Sequence, residues 1–409
     1  MTKSEELVYK LCTKSFLSMW SYPNPKGKKG KELCDILVVC DPDIVIFSVK
    51  EIEFKDTGNN VGWERWRKKA VDESSNQIYG AERWINSNLD VISQEGKKCL
   101  PFPNISNRRV HRVAIALGSK GKIPVPLVDY KEGFIHILTE NSLDILLNEL
   151  DTITDFVNYL LEKEQFLKSG VLPIISGGEE DLLAFYLLEN RQFPKSFDTI
   201  VLDDDLWNGF SRKKVYLSKK ESDKISYVWD TIIEEIYQTY INNNFIEGDA
   251  FSNELTDIEK ALRIMAREDR FARRRISMSL VDFLQNSKSQ NIKARISPNS
   301  SCESGVAYVF QISSYDGNRQ MNFDELQMRC IIARGLNQNK KKIIGVLAEF
   351  SDVVEGNATS LCLLEIDEWT EDLEQKMKII QNELGYFAKP RETKFSNGEF
   401  TKEYPDFEQ

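Results

Sequence analysis

The alternation of hydrophobic and polar positions predicts a β-hairpin within the first fifty residues. Two apolar runs rich in β-branched residues, 36–40 and 44–49, flank an Asp-Pro-Asp turn at 41–43. Short runs of this kind on either side of an Asp/Pro turn are typical of paired strands. Since side chains alternate along a strand, Ser48 and Lys50 should lie on the same face of the second strand.

Charged residues stand at one end of this predicted hairpin. Asp35 precedes the first strand and Lys50 ends the second, so the two should meet there. A carboxylate and an ammonium group brought together in this way can bind a divalent cation and orient a water molecule beside a phosphate. The hairpin therefore points to a nuclease.

Helical periodicity surrounds the hairpin. The pattern predicts a helix over residues 4–20 with Ser4 as its N-cap, and a long helix from Gly62 to Asn86. A strand is expected at 109–117. A second hairpin is expected from two further apolar runs, 124–128 and 133–138. A helix, a hairpin, a helix and a strand in this order predict a compact α/β domain over residues 1–142.

The remaining chain divides into two regions. Residues 143–290 are predicted to be mainly helical, with helical stretches at 144–168 and 179–189 and the clearest periodicity at 222–243 and 257–285. Residues 291–409 predict a small α/β domain, in which strands at 306–313, 342–349 and 360–366 alternate with helices at 323–336 and 371–384. We expect this last domain to bind a regulatory partner or a second copy of the chain.

Composition excludes several classes of protein. Hydrophobic residues make up 41% of the 409 positions, as in soluble globular proteins, and no apolar run approaches the length of a membrane-spanning helix. The net charge of −10 disfavours a protein coated with nucleic acid but allows a local basic groove. Seven scattered cysteines without a CxxC pair, together with only two histidines, exclude zinc-ligand spacing. The N-terminal segment has no signal-peptide pattern, so we expect a cytoplasmic protein.

The hairpin with its flanking helices resembles the PD-(D/E)xK nuclease superfamily over residues 1–142. The resemblance implies a restriction-endonuclease-like mixed sheet flanked by helices. It also implies a Mg²⁺ or Mn²⁺ ion bound by Asp35, the Val49 carbonyl and a glutamate of the first helix. For that glutamate Glu6 is favoured over Glu5. Lys50 matches the lysine that orients the water or stabilises the transition state.

One position departs from the family pattern. Ser48 stands where the family has Asp or Glu, two residues before Lys50. Two nearby acids are alternatives: Glu51 should point to the opposite face, whereas Glu32 lies across the hairpin. Gln77, on the following helix, matches the glutamine of a Gln-x-x-x-Tyr pattern found in an exonuclease branch, although the tyrosine spacing differs. The expected catalytic residues are Asp35, Ser48, Lys50 and Gln77.

Basic residues flank the expected site and could neutralise a phosphate backbone. Three lie in the loop before the hairpin and three on the first turns of the long helix: Lys28, Lys29, Lys31, Arg65, Lys68 and Lys69. The expected substrate is nucleic acid, with DNA favoured over RNA. Analogy with free-standing nucleases points to a restriction-like or antiphage defence effector. The alternative is a catalytically inactive nucleic-acid-binding or regulatory protein on the same fold.

Two further charged segments leave their functions open. The arginines between 263 and 275 either contact nucleic acid or pair with the surplus acids of the chain. Asp203, Asp204 and Asp205 form either a metal cluster or a loop at a strand end, of which the loop is favoured. His111 and His136 lie in apolar strand-like runs and are expected to be structural.

Overall fold

The computed structural model describes residues 1–55, 60–119, 133–244, 253–297, 305–314, 319–350, 358–389, 393, 395 and 398–405. The protein belongs to the α/β class and divides into two compact units. Of the described residues, Met1–Tyr216 form the first unit, and those from Leu217 onward form the second. The region 143–290, expected to be a helical region of its own, is therefore shared between the two units.

The first unit is built on a five-stranded mixed sheet whose strand order follows the chain. The first three strands are antiparallel, whereas β3 to β4 and β4 to β5 are parallel. The strands are β1 (Ser21–Pro23), β2 (Ile36–Cys40), β3 (Asp43–Glu51), β4 (Arg109–Leu117) and β5 (His136–Leu138).

The predicted hairpin is confirmed, because β2 and β3 are adjacent antiparallel strands with Val38 opposite Val45. The strand predicted at 109–117 is confirmed as β4. The expected second hairpin differs in its described part: β5 pairs in parallel with β4, and its expected partner, 124–128, lies outside the described residues. The three-residue strand β1 was not predicted, because so short a strand carries no alternation of its own.

The first helix, α1 (Lys3–Phe16), begins one residue earlier than predicted and ends four residues earlier. Its N-cap is Thr2, whose hydroxyl accepts the Glu5 backbone N–H at 3.3 Å. Ser4 lies inside the helix instead, where its side chain is buried and its hydroxyl donates to the carboxylate of Glu51 at the end of β3. The structure thus corrects the cap: the Ser4 hydroxyl joins α1 to β3 and does not cap α1.

The predicted long helix is interrupted by one wider turn. It comprises α2 (Asn60–Arg67), a π-turn (Lys68–Asp72) and α3 (Glu73–Ile85). A π-turn inserts an extra residue and so changes which side chains of the following helix face the sheet. Ile78 and Ala81 of α3 are completely or almost completely buried in the cluster that includes Leu37 and Ile46 of the sheet.

The opposite face of the same sheet is covered by helices that precede it and helices that follow it in the sequence. Phe47 of β3 packs against Phe16 of α1 and Phe156, with ring centroids 6.4 and 6.1 Å away. Phe156 belongs to α5 (Ile153–Lys168), which follows α4 (Glu140–Glu149). Because helices cover both faces of the sheet, β3 consists of a nearly continuous run of apolar residues.

The first unit ends with a β-α-β segment inside the region predicted to be helical. It consists of β6 (Leu172–Ile175), α6 (Glu179–Leu188), β7 (Thr199–Leu202) and the short helix α7 (Leu206–Ser211), with β6 and β7 paired in parallel. A buried ion pair joins α5 to α6, with Lys163 Nζ 2.5 Å from Glu179 Oε2. Asp205 is the N-cap residue of α7, as the favoured loop interpretation of 203–205 predicted.

The second unit contains a four-stranded sheet in the order β11-β10-β9-β8. Helix α12 connects the parallel strands β9 and β10, as the C-terminal pattern predicted. The elements are α8 (Lys214–Asp223), which starts within the first unit, α9 (Tyr227–Asn244), α10 (Asn253–Ala266), α11 (Arg270–Gln290), β8 (Ala294–Ser297), β9 (Val306–Ser314), α12 (Arg319–Leu336), β10 (Lys342–Phe350), β11 (Ala358–Glu365), α13 (Glu371–Leu384) and α14 (Gly398–Thr401).

Buried ion pairs decide the role of the arginines on α11. Arg270 and Arg273 both contact Asp230, at 2.9 and 2.5 Å, and Arg274 contacts Asp223 at 3.2 Å. All three guanidinium groups are buried. These arginines therefore pair with acids, and the nucleic-acid interpretation of them is excluded. Among the described residues, no helix is both long enough and apolar enough to cross a membrane.

Candidate active site at the end of the central hairpin

Asp35 is held rigidly at the end of β2. Its backbone N–H donates to the Phe47 carbonyl at 3.2 Å, and its carboxylate accepts the Val49 N–H at 2.5 Å. The side chain is buried, with 2% of its surface exposed. Along a strand, a residue's N–H and C=O point to the same side, so the Val49 carbonyl also points towards β2. The two proposed metal ligands, Asp35 and Val49, thus lie together.

Glu32 forms a carboxyl pair with Asp35. The pKa of Glu32 is raised to about 7 by partial burial of its carboxyl group, by its hydrogen bond to Asp35, and by the negative charges of Asp35 and Glu5. The Lys50 ammonium opposes this rise. A raised pKa at one carboxyl group is a common result of bringing like charges together. The structure therefore brings Asp35, Lys50 and two further acids, Glu32 and Glu5, into one electrostatic cluster that the sequence predicted only in part.

The glutamate of α1 whose charge acts on this cluster is Glu5, whereas the favoured Glu6 points away from it. Glu6 is exposed and forms an ion pair with Lys10 at 2.8 Å, which lowers its pKa. Ser4 and Val8 form the buried face of α1. Once the Ser4 contact to Glu51 fixes the rotation of the helix, Glu5 is the half-buried neighbour and Glu6 points to solvent.

Ser48 and Gln77 meet on the α3 face of β3. The Ser48 hydroxyl donates to Gln77 Oε1 at 2.8 Å, and Ser48 is completely buried. The structure thus brings together two of the residues that the sequence singled out, Ser48 and Gln77. Ser48 supplies no carboxylate, whereas Glu32, the cross-hairpin alternative, is hydrogen-bonded to Asp35. The sequence feature that could have identified Glu32 as the second acid is its position three residues before Asp35.

The six basic residues expected to contact nucleic acid are all exposed: Lys28, Lys29, Lys31, Arg65, Lys68 and Lys69. None of them forms a salt bridge to another described residue. The first three belong to the loop that carries Glu32. The other three lie on α2 and on the π-turn. Trp66 of α2 anchors this helix near the site, because its indole N–H donates to the Ile52 carbonyl, just beyond Lys50, at 2.8 Å.

Two carboxyl groups and one backbone carbonyl at this site could hold a small divalent cation. Within the described part of the chain, no group of three or more His, Cys, Asp or Glu side chains is arranged to hold a metal. Mg²⁺, however, usually takes only one or two carboxylates and completes its octahedral shell with water and substrate oxygens. Glu32, Asp35 and the Val49 carbonyl can supply that set. The proton that the raised pKa keeps on Glu32 is then what a cation would displace.

Comparisons with protein-family models, with curated proteins and with solved structures found no match to this chain. The functional conclusions below therefore depend on the geometry of the site and on the sequence.

Glu32→Gln is expected to stabilise the metal-free protein at alkaline pH, by about 2 °C in Tm at pH 8. The folded-state pKa of Glu32 is about 7, above its ordinary value of 4.5, so the folded state binds this proton more tightly than the unfolded state. Wild-type stability then falls as the pH rises from 4.5 to 7, and a neutral glutamine avoids that loss. Thermal melts in EDTA at pH 4.5 and pH 8 measure the difference.

The matched control is Glu6→Gln, which should give no rise in Tm because Glu6 is exposed and paired with Lys10. A lower Tm for Glu32→Gln than for the wild type at pH 8 would show that folding does not raise the pKa of Glu32.

Proposed function

We propose that the first unit is a metal-dependent nuclease that hydrolyses phosphodiester bonds of nucleic acid in the cytoplasm. The observation that carries the proposal is the hydrogen-bonded Glu32–Asp35 carboxyl pair, close enough to Lys50 at the end of β3 to be stabilised by its charge. The order of α1, the β2–β3 hairpin, the α2–α3 helix and the parallel strand β4 supports a restriction-endonuclease-like fold. DNA is the favoured substrate, and a restriction-like or antiphage defence role is the corresponding biological proposal.

Each residue has a defined part in this proposal. Glu32, Asp35 and the Val49 carbonyl would hold Mg²⁺ or Mn²⁺, and the ion supplies an activated water and neutralises charge on the phosphate. Lys50 contributes a point charge that orients the water and stabilises the negative charge developing on the phosphate oxygens. Gln77 positions the end of β3 through its hydrogen bond with Ser48.

The direct test is incubation of the pure full-length protein with plasmid DNA, single-stranded DNA and RNA, in Mg²⁺, Mn²⁺ or EDTA. Cleavage that requires a divalent ion and that Asp35→Asn abolishes supports the proposal. Equal cleavage by wild type and Asp35→Asn would place any nuclease activity elsewhere.

A second candidate is a nucleic-acid-binding protein without catalysis. It is favoured by Ser48, since the family acid at that position is replaced by a hydroxyl group already bound to Gln77. This candidate predicts binding that is the same in Mg²⁺ and in EDTA, with no cleavage of any substrate. A partner or a second copy bound through the second unit would then carry the regulatory function.

Replacing Arg65, Lys68 and Lys69 together with alanine is expected to weaken nucleic-acid binding by at least about tenfold at physiological salt. Each lost phosphate contact should lower the slope of log K against log salt by about 1. Fluorescence anisotropy with a labelled duplex, in Ca²⁺ to prevent cleavage, measures both quantities. A triple alanine variant of Lys376, Lys378 and Lys389, exposed residues of the second unit, is the control. An unchanged salt slope in the first variant would exclude these three side chains as phosphate contacts.

A further inference from the structure

Two cysteines of the second unit lie side by side although they are far apart in sequence. Cys330 belongs to α12 and Cys362 to β11. Gly345 of β10 is directly opposite Cys362 in the antiparallel ladder, so the two positions share a face of the sheet. A Cβ atom at Gly345 would lie only 2.7 Å from the Cys330 sulfur. The absent side chain therefore leaves the space in which the Cys330 thiol packs beside Cys362.

The two thiols differ in environment and in reactivity. They form a hydrogen bond to each other that raises the pKa of Cys330 and lowers that of Cys362. Cys330 is completely buried, whereas Cys362 retains 9% exposure and belongs to the strand at the edge of the sheet. Because the thiolate is the reactive form, Cys362 is the more nucleophilic and the more accessible partner.

We propose that Cys330 and Cys362 are an oxidation site that forms a reversible disulfide between α12 and β11. The oxidant is a peroxide. The Cys362 thiolate attacks hydrogen peroxide, which gives a sulfenic acid and releases hydroxide. The Cys330 thiol then attacks the Cys362 sulfur, so that an S–S bond forms and water leaves with the Cys330 proton. Two thiols are oxidised, one peroxide is reduced to two waters, and a dithiol reductant reverses the reaction.

The disulfide would tie the crossover helix of the second unit to its edge strand. It closes a loop that contains the end of α12 and all of β10, and a cross-link over a loop of this length restricts the unfolded chain. The oxidised protein should therefore melt at a higher temperature than the reduced protein. The redox state of the surroundings would in this way set the stability of the second unit.

The test is disulfide mapping of the full-length protein after treatment with a small excess of hydrogen peroxide and alkylation of the remaining thiols. Non-reducing digestion with trypsin should yield Cys330–Arg334 linked to the peptide 343–376, with the loss of two free thiols. The Tm should rise by about 5 °C or more and return to its starting value in dithiothreitol. Failure to find this linked peptide while both thiols remain free would overturn the proposal.

Single variants distinguish the cysteine that reacts with peroxide from the cysteine that then forms the disulfide. In Cys330→Ser, which keeps a hydroxyl donor to Cys362, peroxide should convert Cys362 into a sulfenic acid that a dimedone probe labels, whereas in Cys362→Ala the buried Cys330 should remain a free thiol. Cys12→Ala is the matched control, since burial raises the pKa of the Cys12 thiol; it should form the same disulfide as the wild type. Equal dimedone labelling in the two single variants would contradict the assigned order of attack.

Discussion

Lys50→Ala is expected to lose metal-dependent cleavage of nucleic acid, with the rate falling by at least about 100-fold. The Lys50 ammonium lies close enough to the Glu32–Asp35 pair to counter the rise in the Glu32 pKa. It forms no salt bridge with another described residue that would hold it in a structural role. Its charge is therefore available to a phosphate group. Single-turnover cleavage of labelled DNA measures the loss directly.

Two controls separate catalysis from folding and from general charge. Lys55→Ala removes an exposed lysine from the segment just beyond β3 and should cleave at the wild-type rate. Thermal melting of Lys50→Ala should match the wild type, because Lys50 is only half-buried at the strand end. Wild-type cleavage by a folded Lys50→Ala protein would exclude Lys50 from the mechanism and with it the proposed site.

Asp35→Asn is expected to abolish both Mg²⁺ binding and the proton release that accompanies it. In the wild type Glu32 has a pKa of about 7, so at pH 7 it carries about half a proton that a bound cation displaces. At pH 8.5 the carboxyl group is already ionised and little proton should be released. Asparagine retains an oxygen that can accept the Val49 N–H, but it removes one of the two charges that attract the ion.

Isothermal titration with MgCl₂ in buffers of different ionisation enthalpy gives the number of protons released at each pH. Glu6→Gln serves as the control and should bind Mg²⁺ as the wild type does, since Glu6 is paired with Lys10 outside the cluster. Proton release that is the same at pH 7 and at pH 8.5 would indicate that the cation binds somewhere other than the Glu32–Asp35 pair.

The two proposals are independent of each other. The proposed nuclease site lies in the first unit and the cysteine pair lies in the second. A chain without nuclease activity could still form the Cys330–Cys362 disulfide, and a Cys330→Ala variant should retain whatever cleavage the wild type shows. Cleavage assays and disulfide mapping therefore test the units separately.

The amino-acid sequence by itself determined the elements whose partners are close in the chain. The β2–β3 hairpin follows from strand alternation and one Asp/Pro turn, and its residues lie within sixteen positions of each other. The meeting of Asp35 with the end of β3 is a consequence of that local pairing. The alternation of strands and a helix in the last hundred residues likewise predicted β9, α12 and β10.

The tertiary structure decided everything that depends on distant packing. The rotation of α1, fixed by Ser4 and Glu51, selects Glu5 over Glu6. The burial of α11 turns its arginines into ion-pair partners of Asp223 and Asp230. The contact between Cys330 and Cys362 requires the β10–β11 register. Periodicity reports which side of an element is apolar, whereas the neighbour on that side is set by long-range contacts that no local pattern contains.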